Sequence, residues 1–170
     1  AQESRGLGDV YKRQAVAWLV FMVPHSVVTV SVATAYFTSM AKHANEKRMD
    51  LFRQDFSAGL RAISVFAVFF SVGMIILAYP MSRVFIGEFN ATLSLGNVLI
   101  ALLVGLLPFS FVYMMQRAFY ALEDTRTPFM FTLVQIVIYI IGATVIAQTV
   151  PAQWLVVALS LLTSTTVTIQ

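Results

Sequence analysis

The chain has 170 residues, of which 59% are hydrophobic and 11% are charged, and its mean hydropathy is +0.82. Soluble domains carry about a quarter charged residues, so this composition indicates an integral membrane protein. The chain has no cysteine, which excludes disulfides, thiol nucleophiles and cysteine-based metal sites, and only His25 and His43 could supply imidazole ligands. A net charge of +3 could suggest nucleic acid, but the basic residues lie in short connections between apolar runs, where they predict membrane orientation instead.

Residues 1 to 14, AQESRGLGDVYKRQ, are polar and stop abruptly at an apolar run. The end of this stretch, DVYKRQ, resembles the in-frame translation of a transposon-type sequencing adapter, and a genuine polar loop is the alternative. A signal peptide is not expected, because no apolar core stands between a basic start and a small-residue cleavage site. We therefore treat residues 1 to 14 as a non-native segment and residues 15 to 170 as the transmembrane part.

Five apolar stretches are each long enough to cross a membrane. About 20 apolar residues span the hydrocarbon core as a helix, which satisfies its own backbone there. The runs are too long for barrel strands and lack their alternation. The sequence therefore predicts an all-α membrane bundle of five transmembrane helices, at about residues 15–41, 56–79, 93–115, 128–150 and 152–170.

The first predicted helix concentrates the polar groups that lie within the membrane. Its segment VPHSVVTVSVAT contains Pro24, which removes a backbone hydrogen bond and predicts a kink. At about 100° per residue, His25 and Thr29 share a face with Ser26 at its edge. This stripe favours a kinked helix that lines a hydrated cavity. The alternative is a helix–helix contact, with neutral His25 and hydroxyls that bond back to their own helix. The same stripe is extended by Trp18, Met22 and Tyr36.

The later predicted helices contain few polar groups. Pro108 predicts a bend in the third helix, and isolated amides and a tyrosine indicate interhelical contacts. No carboxylate lies deep in any predicted helix, so neither an intramembrane ion relay nor an acid pair for hydrolysis is indicated. Phosphate-binding glycine loops and nucleophile elbows are also absent from the sequence. We therefore expect no catalytic residue, metal or cofactor. The contact residues are Asn97, Gln135, Tyr139 and Gln148.

Basic residues are distributed unevenly over the connections. Seven lie in or beside the connections that follow the first and third predicted helices, whereas Arg83 alone lies on the opposite side. Short basic connections face the cytoplasm, so the transmembrane part is predicted to begin outside and end inside. The seven are Lys42, Lys47, Arg48, Arg53, Arg61, Arg117 and Arg126.

The connection RAFYALEDTRTPF, residues 117–129, separates the third and fourth predicted helices. Thr127 is predicted to cap the fourth helix with Pro128 at its first position, and Arg117 to complement the dipole at the end of the third. Capping does not explain Glu123 and Asp124. Either acid could pair with a basic side chain of the cytoplasmic connections, and a solvated turn is the alternative. The motif residues singled out are Arg117, Tyr120, Asp124, Arg126, Thr127 and Pro128.

Two stretches carry a family resemblance. RAFYALEDTRTPF, preceded by FVYMMQ, resembles a loop of the MviN/MurJ family of lipid II flippases, which belong to the MOP exporter superfamily. FMVPHSVVTVSVATAYFTSMAK is similar to the proline-containing eighth helix of that family and the segment after it. The resemblance covers residues 15 to 170, is greatest to actinobacterial members, and corresponds to helices 8 to 12 of a fourteen-helix protein, within its C-terminal lobe.

The resemblance implies transport of the lipid-linked peptidoglycan precursor across the bacterial cytoplasmic membrane, by alternating access between two lobes. Expected partners are that precursor, membrane lipids and an N-terminal lobe. That lobe carries most of the family's cavity cations, and Trp18 to Val23 contain no charge, so this chain is not expected to form the headgroup site alone. Alternatives are another exporter of the superfamily, for polysaccharide lipids or drugs, and a non-transporting scaffold for cell-wall synthesis or division proteins.

Overall fold

The computed structural model describes residues 14–85, 89–151 and 154–169, and within these ranges the chain forms seven helices. The segment interpreted as non-native lies, except for Gln14, outside the described residues. The helices are α1 (Gln14–Asn45), α2 (Met49–Ile76), α3 (Ala78–Phe85), α4 (Phe89–Val104), α5 (Leu106–Ala121), α6 (Arg126–Thr149) and α7 (Leu155–Ile169).

The predicted all-α membrane fold is confirmed. Helices α1, α2 and α6 are each long and apolar enough to cross a membrane, and α4 with α5 forms a further span that is bent by 43°. Helix α7 is apolar over 15 residues. These elements correspond in order to the five predicted helices, while the short helix α3 lies in a connection for which no helix was predicted.

Several predicted helix ends are wrong, because hydropathy marks the part of a helix that is embedded in the membrane. Helix α2 begins at Met49, seven residues before the predicted start at 56, because Phe52 is buried in the core while neighbouring Arg53 is exposed. Helix α1 continues past residue 41 to Asn45, and the third predicted helix extends from Phe89 to Ala121. Exposed charged side chains therefore continue α1 and α2 beyond their apolar stretches.

The connection between α1 and α2 is closed by a Schellman motif. The N–H of Arg48 donates to the carbonyl of His43 at 2.9 Å, and the N–H of Lys47 donates to the carbonyl of Ala44 at 3.0 Å. Lys47 has a φ of 57°, the left-handed conformation that this motif requires after the helix end. The hairpin is therefore held by backbone bonds, with a lysine where glycine is the usual residue.

The bend between α4 and α5 lies at Gly105, three residues before Pro108. Pro108 has no N–H to donate to the carbonyl of Val104, and its ring displaces that carbonyl. The N–H of Gly105 instead donates to the carbonyl of Leu102 at 2.9 Å, which tightens the last turn of α4. The missing side chain of Gly105 also lets α7 approach, since a Cβ there would lie 2.5 Å from the Oγ of Ser164.

The buried side chains form two clusters, at opposite ends of α1. The outer core joins the first half of α1 to α4 and α7, and the inner core joins the second half of α1 to α2 and α5. Helix α6 packs mainly on α7, and Pro128 is its single buried residue. The outer core consists of Ala17, Val20, Phe21, Ala78, Leu95, Val98, Leu99, Leu102, Leu103, Leu106 and Val156; the inner core consists of Ala33, Met40, Phe52, Ile63, Met114, Ala118 and Ala121.

Candidate functional site

The predicted polar stripe lies on a π-helical turn, His25–Val30, in the middle of α1. Pro24 precedes this turn and cannot donate the backbone bond that a regular helix would make there. Wider turns of this kind occur mostly as short interruptions of α-helices and are frequent at functional sites. The backbone of α1 therefore departs from α-helical geometry at the point where its polar side chains are concentrated.

The structure divides the predicted stripe between two faces of α1. His25 and Thr29 are 3% and 2% exposed and face α5, where the Thr29 hydroxyl donates to the Oγ of Ser110 at 2.9 Å. Ser26 is exposed on another face and donates to the carbonyl of Met22 in its own helix. Two of the three residues therefore lie at a helix–helix contact, and one lies on a face that the described chain leaves open.

His25 is held by aromatic rings. Its ring centroid lies 4.6 Å from that of Phe109 and 5.3 Å from that of Tyr113, both on α5. Its Nδ1 atom is buried and has no hydrogen-bond partner among the described residues. Packing with α5 therefore fixes the position of this imidazole, with no bond at Nδ1.

Arg117 continues the same α1–α5 contact toward the predicted cytoplasmic side. Its Nη2 atom donates to the Tyr113 hydroxyl at 2.6 Å, and its Cζ lies 5.0 Å from the Tyr113 ring centroid and 5.8 Å from that of Phe37. The last turn of α5 contains no basic residue, so the predicted role of Arg117 at the helix dipole is wrong. Its guanidinium is instead a half-buried cation packed between two aromatic rings.

The connection between α5 and α6 repeats the backbone motif of the first hairpin. The N–H of Asp124 donates to the carbonyl of Phe119 at 3.0 Å, and the N–H of Glu123 donates to that of Tyr120 at 3.1 Å. Glu123 has a φ of 59° and occupies the left-handed position. Glu123 therefore has a role in the backbone conformation of this turn, which could not be predicted from its charge.

Asp124 supplies the side-chain oxygens that cap α6. One carboxylate oxygen accepts from the backbone N–H groups of Arg126 and Thr127 at 3.0 and 3.1 Å, and the other accepts from the Thr127 hydroxyl at 2.6 Å. The prediction that Thr127 is the cap, with Pro128 at the first helical position, is therefore wrong. Helix α6 begins at Arg126, and Thr127 donates to the cap. Aspartate is common at helix starts, and this preference could have indicated from the sequence that Asp124 caps α6.

Hydrogen bonds lower the pKa of Asp124 below the ordinary aspartate value of 3.8, first that from the Thr127 hydroxyl and then that from the Thr127 N–H. A lowered pKa means that the carboxylate stabilises the fold above the ordinary value and that this contribution is lost as pH falls through the lower, folded-state value. We expect Asp124→Ala to lower Tm at neutral pH. Asp124→Asn should keep most of it and remove this acid-dependent loss, because asparagine caps as well as aspartate.

Thermal unfolding in detergent micelles across neutral and acidic pH measures both effects. Glu123→Gln is the matched control, since it removes a negative charge from the same turn without touching the cap. Equal Tm values for Asp124→Ala and Glu123→Gln at neutral pH would contradict the assigned cap.

A polar cluster that the sequence analysis missed ties α1 to α2. One oxygen of Asp55 accepts from the Ser39 hydroxyl at 2.5 Å and lies 2.9 Å from Nδ1 of His43. Ser39 and His43 are one helical turn apart on α1, and the short hairpin brings Asp55 opposite them. The spacing of Ser39 and His43 in the sequence could therefore have indicated this cluster. Among the described residues no group of three or more potential metal ligands occurs. The cluster therefore positions two helices at their shared end.

These features define a multi-pass helical membrane protein in which an interrupted helix, α1, places Thr29 in hydrogen-bond contact with Ser110 of α5. The comparison with protein families identifies it further. Residues 14–170 match the family described as lipid II flippase MurJ, and the chain belongs to that family.

A relative and a solved structure agree with this assignment. The lipid II flippase MurJ of Thermosipho africanus (strain TCF52B) is 31% identical over 114 residues, which cover 64% of this chain and 23% of the relative. The structure named lipid II flippase MurJ, inward closed conformation, has the same fold, with a TM-score of 0.79 and 22% identity over 93% of this chain. The chain covers 33% of that solved protein, so it spans a minor part of both.

Proposed function

We propose that this chain forms part of the C-terminal lobe of a flippase that moves lipid II across the bacterial cytoplasmic membrane without chemical conversion. The family match over residues 14–170 carries the proposal. The substrate is the lipid-linked peptidoglycan precursor, and the necessary partners are an N-terminal lobe and membrane lipids. Moving a headgroup between leaflets requires spans that can change shape, and the π-helical turn of α1 and the 43° bend at Gly105 support this role.

Within that function, Ser26 is the residue of the predicted stripe that faces the transport cavity. Ser26 is exposed beside the π-helical turn, whereas Thr29 is occupied by its bond to Ser110 and His25 packs on α5. Thr29 and His25 therefore hold the helix that presents Ser26. We therefore propose that one face of α1 contacts the substrate and that the other packs on α5.

A chimera tests the function and the cavity together. Residues 14–170 of this chain replace the matching part of a full-length MurJ flippase, and lipid II flipping is measured in cells depleted of their own enzyme. The chimera is expected to restore flipping. Ser26→Leu should slow flipping several-fold with normal expression, because a bulky apolar side chain displaces water and polar headgroup atoms from the cavity wall.

Val23→Leu is the matched control, since Val23 is also exposed on α1 and its replacement adds a methylene without changing polarity. If Ser26→Leu and Val23→Leu flip lipid II at equal rates, Ser26 does not face the cavity. A well-expressed chimera that never restores flipping contradicts the proposed function itself.

A further inference from the structure

A groove lies between α3 and the first turns of α4, on the side predicted to face outside. Its volume is about 550 Å³, and its walls include Tyr79, Arg83, Val84, Phe89 and Leu93. Most of this lining is apolar and open to the surroundings: Val84 is 83% exposed and Phe89 is 74% exposed. Apolar side chains this exposed are stable in contact with lipid and unfavourable in contact with water.

One wall of the groove is fixed by packing. The hydroxyl of Tyr79 donates to the Oδ1 of Asn97 at 2.9 Å. The Tyr79 ring lies over Gly96, where an added Cβ would come within 2.6 Å of it. Helix α3 is thereby held against α4, and the groove between them is a constant feature of the surface.

The groove has one cation. Among the described residues, Arg83 is the single basic residue on the predicted outer side, and it makes no hydrogen bond or ion pair with another of them. Its guanidinium can offer paired donors to a phosphate, an arrangement that arginine provides better than lysine. A positive group beside an exposed apolar wall matches an anion that carries an apolar chain.

The position of the groove relative to the membrane indicates which kind of molecule it meets. Helix α2 is long and apolar enough to cross the membrane and α3 follows it after Leu77 alone, so the predicted topology places α3 where the outer leaflet meets water. A short amphipathic helix at this depth presents its apolar face to acyl chains and its cation to headgroups. Anionic phospholipids of the surrounding membrane have this chemistry.

We propose that the groove binds one anionic phospholipid of the outer leaflet. The phosphate lies on Arg83, and an acyl chain runs along Val84, Phe89 and Leu93. Such a lipid is a fixed neighbour of α3 and α4, distinct from any transported substrate, and it completes the apolar surface that the described chain leaves open.

Retention of phosphatidylglycerol tests the proposal. The full 170-residue chain is reconstituted in nanodiscs of phosphatidylethanolamine with a small fraction of phosphatidylglycerol. Native mass spectrometry then counts the lipids that stay bound to the protein after it is released from the nanodiscs. Arg83→Gln is expected to lower phosphatidylglycerol retention about tenfold, the effect of losing one charge-assisted bond. Arg83→Lys should lower phosphatidylglycerol retention less than Arg83→Gln does. Phe89→Asn should also lower this retention, although the charge of Arg83 remains.

Arg53→Gln is the matched control, because Arg53 is also exposed but lies at the opposite, predicted cytoplasmic end. Circular dichroism of each variant verifies that helix content is unchanged. Equal retention by the original chain and Arg83→Gln, or equal retention of both phospholipids, overturns the proposal. Complete displacement of phosphatidylglycerol by an equal amount of a polyprenyl pyrophosphate overturns the assigned occupant.

Discussion

Met114→Ala is expected to lower the free energy of unfolding by about 2–5 kcal/mol. Met114 is fully buried in the inner core, where α1, α2 and α5 meet. Its terminal methyl group fills a notch over Gly59, since a Cβ built at Gly59 would lie 2.5 Å from that carbon. Truncation leaves a cavity whose walls lose their packing contacts, and packing is a main source of helix association in a membrane.

The measurement is unfolding of the chain in mixed micelles, with Met115→Ala as the matched control because Met115 is 47% exposed. Gly59→Ala should partly rescue Met114→Ala, because the new methyl group enters the vacated space and alanine favours the helix by up to about 1 kcal/mol. The double variant should therefore be more stable than the sum of the single changes predicts. Strict additivity would show that the two residues do not share one space.

Gly105→Ala is expected to destabilise the fold by about 1–3 kcal/mol through overpacking at the bend. A Cβ there would lie 2.5 Å from the Oγ of Ser164 and 3.0 Å from its Cα, so the backbone of α7 must move. That movement also disturbs the bond from the Ser164 hydroxyl to the carbonyl of Ala101, now 2.9 Å long. Backbone strain does not contribute, because the φ of −82° at Gly105 suits alanine.

Gly73→Ala is the control for Gly105→Ala, because it changes the helix propensity without adding a steric clash. Apart from its two chain neighbours and the backbone of its own helix, no atom of the described residues lies within 4 Å of a Cβ built at Gly73, so this change should leave stability equal or raise it by up to about 1 kcal/mol. The same micelle titration compares the two variants. Equal stabilities for Gly105→Ala and Gly73→Ala would contradict the close approach of α7 to the bend.

The sequence was sufficient to predict the helical membrane fold, because long apolar runs have few other solutions in lipid. It could not predict helix ends. The first turns of α2 carry Asp50 and Arg53 on exposed faces, and hydropathy counts these charges without regard to the face on which they lie. The capping side chain was also predicted wrongly, because aspartate and threonine are both common at helix starts. The backbone of the turn decides that Asp124, and not Thr127, accepts the bonds of the first turn.

The candidate site shows a different limit. A helical wheel for a regular α-helix placed His25, Ser26 and Thr29 on or beside one face of α1. In the structure, Ser26 lies on a different face from the other two. The pairing of Thr29 with Ser110 depends on residues that are 81 positions apart, and no local pattern contains such a contact. The packing of Arg117 against Phe37 likewise joins residues that are 80 positions apart.

The π-helical turn has a consequence for the whole of α1. A bond from residue i to i+5 encloses one residue more than the α-helical bond, so everything after Val30 is shifted in phase. Before the turn, Ala17 and Phe21 pack in the outer core with α4 and α7; after it, Met40 packs in the inner core with α2 and α5. One extra residue in the winding thus lets a single continuous helix change its packing partners halfway across the membrane.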